Sequence, residues 1–114
     1  MAAKFELEKA SNGQFYFRLK AGNGEIILSS EQYKAKASAT SGVDAVKANA
    51  ANDARYERKT SGSQQPFFVL KAANGEVLGK SQMYSAATAM EKGIESVKSN
   101  APSAAVEDLT GTKD

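Results

Sequence analysis

The 114-residue chain contains no histidine and no cysteine. Without either, the usual zinc sites cannot be built. Serine–histidine and cysteine–histidine nucleophile systems are excluded outright. No disulfide can form, which fits a reducing compartment. No apolar run approaches the roughly 18 residues a membrane helix needs. The opening residues, Met1-Ala2-Ala3-Lys4-Phe5, contain no apolar signal-peptide region, so the chain is expected in the cytoplasm and away from membranes. An excess of one charge is missing too. Fifteen basic and 13 acidic side chains are interspersed and leave a net charge of +2. A committed nucleic-acid binder usually shows a basic excess or stripe, so net charge gives that function no support.

What is present is a repeat. Shifting the chain by 51 residues lays Phe17 on Phe68, and the ungapped alignment runs to Ala50 on Ala101. Fifteen of these 34 positions are identical, among them Leu19/Leu70, Asn23/Asn74, Gly24/Gly75, Glu25/Glu76, Tyr33/Tyr84, Gly42/Gly93 and Val46/Val97. Two copies are too few for a solenoid. The expected organisation is one domain over residues 1–114, with repeats 4–51 and 55–102 in pseudo-twofold relation and a tail from 103 to 114.

Each copy reads strand, strand, strand, helix. In copy one, Phe5 and Leu7 alternate with Glu6 and Glu8, and Phe15, Phe17 and Leu19 alternate with Tyr16, Arg18 and Lys20. A three-residue loop, Ser11-Asn12-Gly13 with Gly13 left-handed, pairs Leu7 with Phe17 and Phe5 with Leu19 on one face. Asn23-Gly24 suits a two-residue turn that would pair Leu19 with Leu28 and Ala21 with Ile26. The helix stripe is Ala39, Val43, Val46 and Ala50, matched by Met90, Ile94, Val97 and Ala101. Ser85 is a candidate cap for the second helix, Lys34 cannot cap the first, and the first is expected to begin near Ser38. Pro102 ends the second helix. Val106 to Leu109 falls where a third copy would begin and suits an edge strand. Thr110 to Asp114 is expected to be disordered. The fold class is α+β: two β-β-β-α repeats, a joint antiparallel sheet of about six strands and both helices on one face.

The motifs Leu19-Lys20-Ala21-Gly22-Asn23-Gly24-Glu25, Ser30-Glu31-Gln32-Tyr33 and Gly42-Val43-Asp44-Ala45-Val46-Lys47-Ala48-Asn49 recur as Leu70 to Glu76, Ser81 to Tyr84 and Gly93 to Asn100. This pattern resembles the duplicated form of the YegP family of small bacterial proteins. The resemblance covers nearly the whole chain. It implies two three-strand-plus-helix units building one sheet, an arrangement that single-copy relatives reach as homodimers. It implies no activity. Arg58 departs from the repeat, standing where copy one has core-facing Leu7, so that strand end is expected to meet solvent.

For chemistry, carboxylate, lysine, serine and tyrosine remain. Glu25 and Glu76 follow Asn-Gly turns, and charges beside turns are ordinarily solvated. Gly22-Asn23-Gly24 closes a hairpin instead of opening a helix, so a phosphate loop is excluded. Ser30 with Tyr33, and Ser81 with Tyr84, could hold an anion in a loop. The preferred reading is a packed tyrosine bonded to backbone beside a turn-capping serine. Gly42 and Gly93 lie inside the helices, where glycine costs about 1 kcal/mol against alanine, and so point to a close approach to the sheet or the other helix.

No catalytic residue, metal or cofactor is expected. The candidate binding surface is the sheet face away from the core, with Tyr16, Arg18, Lys20 and Ile27 from copy one and Phe67, Val69, Lys71, Leu78 and Lys80 from copy two. Interleaved aromatic and basic residues on an open sheet suit a protein or peptide, or single-stranded nucleic acid. The sequence favours the protein partner by a small margin, for a monomeric pseudo-dimer. A structural or stress-associated protein with no ligand would show the same residues.

Overall fold

The alternating segments form β1 (Lys4–Lys9), β2 (Phe15–Lys20) and β3 (Ile26–Ser29), followed by α1 (Lys36–Asn49). The second copy gives β4 (Tyr56–Thr60), β5 (Pro66–Lys71), β6 (Val77–Lys80) and α2 (Ala87–Asn100), and the chain ends in β7 (Ala105–Asp108). These elements come from a computed structural model that describes residues 3–111.

The hairpin loops fix the pairing, and all four have one form. In the first, the Ala10 amide donates to the Gln14 carbonyl and the Gly13 amide to the Ala10 carbonyl, with Gly13 at φ +86°. The expected register follows, with Leu7 opposite Phe17 and Phe5 opposite Leu19. The second hairpin differs from expectation. Ala21 donates to Glu25 and Gly24 to Ala21, again enclosing three loop residues with a left-handed glycine. A two-residue type I′ turn needs positive φ at Asn23 as well, and Asn23 does not have it. Instead its side chain accepts the Glu25 amide at 3.0 Å. The register therefore shifts at Leu19/Lys20: Leu19 still meets Leu28, but Ile26 meets Lys20, not Ala21. The irregularity moves Ile27 into the core, and the matching one at Leu70/Lys71 does the same to Leu78. Neither residue belongs to the open face assigned to it from alternation.

The sheet has seven strands in the order β4-β5-β6-β3-β2-β1-β7. The six repeat strands are antiparallel, and β7 adds to the edge of β1 in parallel. The copies meet where β3 pairs with β6 at Ser29 and Lys80. These residues are 51 apart, so each faces its own repeat mate and the pseudo-twofold axis runs between them. Beside that axis Leu28 packs on Gly79, another matched pair. A β-carbon on Gly79 would lie 2.7 Å from Leu28 Cγ, so leucine fits on one side only.

Both helices cover one face, and each crosses the junction. α1 rests on β1 and β2 and reaches β5 and β6, while α2 rests on β5 and reaches β3. Phe5, Phe17, Leu19, Leu28, Val43 and Val46 join Phe68, Leu70, Ile94 and Val97 in one buried cluster. Burying each such side chain contributes roughly 1.5–3 kcal/mol before conformational entropy is charged.

The helix starts differ from expectation. α1 begins at Lys36 and α2 at Ala87, capped by the extended residues Ala35 and Ala86 without a side-chain hydrogen bond. Ser85 caps nothing. The two alanines are identical across the repeat, and in copy one Lys36 reaches Asp108 of β7 at 2.5 Å. The helical glycines do mark a close approach. A β-carbon at Gly42 would lie 2.8 Å from the Phe17 ring and 2.9 Å from the Tyr33 hydroxyl. One at Gly93 would collide with the Tyr84 hydroxyl. At the tail, the Thr110 amide bonds the Asp108 carboxylate at 2.9 Å. Residues 112–114 lie outside the described residues.

Candidate functional site

The strand alternation places Tyr16, Arg18 and Lys20 of β2 on the face opposite the helices, with Phe67, Val69 and Lys71 of β5 in the other half. Two cation–aromatic contacts recur there. The Arg18 guanidinium lies 5.7 Å from the Tyr16 ring centre and the Lys80 ammonium 5.0 Å from that of Phe67. Val69 is buried.

Alternation also brings carboxylates to this face, and they were not among the candidate binding residues. Glu6 is 3.1 Å from Lys20, 3.6 Å from Lys4 and 3.8 Å from Arg18. Arg18 also bonds Glu8, and Lys71 bonds Glu57. Burial pushes the Glu6 carboxyl up, but the Lys20 hydrogen bond and the charges of Lys20, Lys4 and Arg18 outweigh it and hold the group below its ordinary value. The same period-two pattern that put Phe5 and Leu7 inward signals these glutamates. The cations that seemed available for a polyanion are largely engaged.

The two Ser-x-x-Tyr loops are braces. The Ser30 hydroxyl accepts the Phe17 amide at 2.9 Å and donates to the Glu31 carbonyl at 2.7 Å. Ser81 does the same with Phe68 and Gln82 at 3.0 and 2.8 Å. Tyr33 exchanges two backbone hydrogen bonds with Phe15. Pro66 stands at the matching place and has no N–H, so Tyr84 keeps one. The rings stack on Phe17 and Phe68 with centres 6.4 Å apart in both copies. The Tyr84 hydroxyl does not bond backbone as expected. It is buried without a hydrogen bond of good geometry, beside Gln82.

Each tyrosine also walls a cleft made from both copies. In one cleft, Tyr33 and Gly42 face Glu76 and Leu78 of the β5–β6 hairpin. In the other, Tyr84 and Gly93 face Glu25 and Ile27 of the β2–β3 hairpin. All nine residues lining the first have their repeat mates in the second, which Gln82 also lines, and the volumes are about 570 and 340 Å³. Burial raises the Tyr33 pKa, and the charges of Glu31 and Glu76 add to it. Burial also raises that of Tyr84, with Gln82 working against it and Glu25 adding to it. Sequence reading treated Glu25 and Glu76 as solvated hairpin residues. Both are exposed, and both form the rim of a cleft whose opposite wall belongs to the other copy.

The model of a domain of unknown function, DUF1508, matches residues 10–57 and again 62–108, one match for each copy. The chain belongs to the DUF1508 family. A UPF0339 protein of Acinetobacter baylyi is 54% identical over 97% of this chain and 100% of its own length. The UPF0339 protein YegP of Escherichia coli K12 is 51% identical over 96% of this chain and 100% of its own. The solution NMR structure of YegP from E. coli, a protein of unknown function, superposes with a TM-score of 0.92 at 50% identity, covering 99% of this chain and 97% of that one. That of the UPF0339 protein SO3888 from Shewanella oneidensis gives 0.91 at 46% identity, covering 96% and 93%. The resemblance read from the repeated motifs is thereby established, and so is the two-copy α+β fold. None of these DUF1508 relatives carries the name of an enzyme. Among the described residues no helix is long and apolar enough to cross a membrane.

Proposed function

We propose that this DUF1508 protein is a non-enzymatic binding module whose partner surface is the open sheet face around Tyr16 and Phe67, and that its partner is a protein segment. The observation that carries this is the interleaving of two cation–aromatic contacts with the carboxylates Glu6, Glu8 and Glu57. A nucleic-acid strand is held by cations that displace counterions from its phosphates. Here Arg18, Lys20 and Lys71 already have carboxylate partners, and the buried charge of Glu6 would repel a phosphate. A protein surface of mixed charge can accept the same pattern, with the aromatic rings giving area and the ion pairs fixing register.

The test is cross-linking and titration in native cell extract, with and without nuclease, comparing the natural protein with the Tyr16→Ala, Phe67→Ala double variant. A nuclease-resistant protein partner retained at moderate salt and lost in the folded variant is the expected result. A partner that disappears with nuclease, bound with a steep salt dependence, would replace this reading with single-stranded nucleic acid. Equal capture by both proteins would remove the face from consideration.

A further inference from the structure

The two cross-copy clefts have the same geometry and opposite charge character. The Tyr33 cleft has Glu76 on its rim, and the charge of Glu31 outside the lining adds to the raised pKa of Tyr33. No lysine or arginine lines it; Ser38, Ser41 and Ala45 supply the helix wall. In the Tyr84 cleft the residue matching Glu31 is Gln82 and the one matching Ser41 is Lys92. Glu25 is then the one carboxylate, opposite a lysine. The first cleft is therefore lined by one carboxylate and no cation, while in the second the one carboxylate is balanced by Lys92. The second is also smaller, about 340 against 570 Å³.

We propose that the cleft between Tyr33 and Glu76 binds a small organic cation, a primary alkylammonium with a short apolar stem, and that its repeat mate does not. Leu78, Ala45 and Ala72 give the stem an apolar wall. The Tyr33 ring offers a cation a π face, and the Glu76 carboxylate offers it an ion pair. A bare metal ion is the poorer match, because no group of three acidic side chains suited to one exists among the described residues. The site needs one wall from each copy, so neither repeat could form it alone. This inference is independent of the open-face reading, since the cleft lies on the helix side of the sheet.

The experiment is an amide chemical-shift titration of the whole protein with n-pentylammonium, with pentanoate as the control of equal stem and opposite charge. Pentylammonium is expected to move the amides of Tyr33, Gly42 and Glu76 with one-site saturation, and pentanoate is expected to leave them still. Glu76→Gln, an exposed hairpin change that leaves the core untouched, should weaken binding fivefold or more. The decisive variant is Lys92→Ser, which removes the lysine and leaves Glu25 as the one charged residue lining the Tyr84 cleft, as Glu76 is in its mate. It should raise the stoichiometry from one to two, with new shifts at Tyr84 and Gly93. The proposal is overturned by no saturable binding to the natural protein, by equal binding of pentanoate, by an unchanged affinity in Glu76→Gln, or by no second site in Lys92→Ser.

Discussion

The outer edges of the two copies are finished in different ways. In copy one, β1 is paired by β7, and Leu7 behind it is buried. In copy two the matching strand, β4, ends the sheet, and Arg58 replaces Leu7. Arg58 bonds Glu91 of α2 through two nitrogens at 2.6 and 3.0 Å and Asp53 at 3.1 Å. An open edge is a template for unwanted strand pairing, and charged residues on it discourage that. The axis shows the same division of labour, with Leu28 filling the space that Gly79 leaves. In a homodimer of single repeats both places would carry one residue type. Duplication frees each half to solve its own problem: cover one edge and charge the other, fill one side of the axis and clear the other.

The largest test of that comparison is at the axis. Gly79→Leu should destabilise by about 1–3 kcal/mol through overpacking against Leu28. Leu28→Gly should cost about 2–5 kcal/mol through the cavity it leaves. Exchanging the two residues in one chain restores one leucine and one glycine across the axis. Urea titration should find the double variant more stable than the sum of the single effects predicts. Strict additivity would mean that the two positions do not share one space.

A smaller effect is expected in the loops. Gln64 holds φ +64° where copy one has Gly13 at +86°. Gln64→Gly should stabilise by about 0.5–1 kcal/mol, because the left-handed conformation is strained for a residue with a β-carbon. A loss of stability in the same titration would show that the Gln64 side chain contributes more than the strain removes.

The smallest effect is confined to the covered edge. Hydrogen bonds from Lys36 and Thr110 lower the Asp108 carboxyl from 3.8 to about 2. A depressed carboxyl contributes stability that is present above its unfolded value and is lost as pH falls through the folded one. Between about pH 4 and 2 the amides of β7 should therefore lose protection before those of β2 and β5, seen by hydrogen exchange. Protection of β7 that persists alongside the central strands to pH 2 would mean that backbone pairing alone holds the strand.

The sequence made the repeat legible, and with it the strands, the helix stripes, the first hairpin register and the edge strand at Val106. It misled where one motif allows two geometries. Asn-Gly suits a two-residue turn, yet Asn23 spends its side chain on the Glu25 amide and leaves the positive φ to Gly24 alone. That single-residue difference carried Ile27 and Leu78 from the open face into the core. The open-face aromatics could be read from alternation, and so could the outward side of Glu6 and Glu8, but not their pairing with Arg18 and Lys20, which depends on the strand register. The clefts could not, because Tyr33 and Glu76 meet only when one copy is folded against the other.

The central claim is that the two copies are one cooperative body with a shared core. Phe17→Ala in copy one should cost about 3–5 kcal/mol, as expected for a fully buried ring. Hydrogen exchange of that variant, followed at Leu19 in copy one and Leu70 in copy two, tests the claim most directly. The account predicts that both amides lose the same amount of protection and that heat unfolds the protein in one transition. Full protection at Leu70 beside lost protection at Leu19, with two thermal transitions, would contradict it.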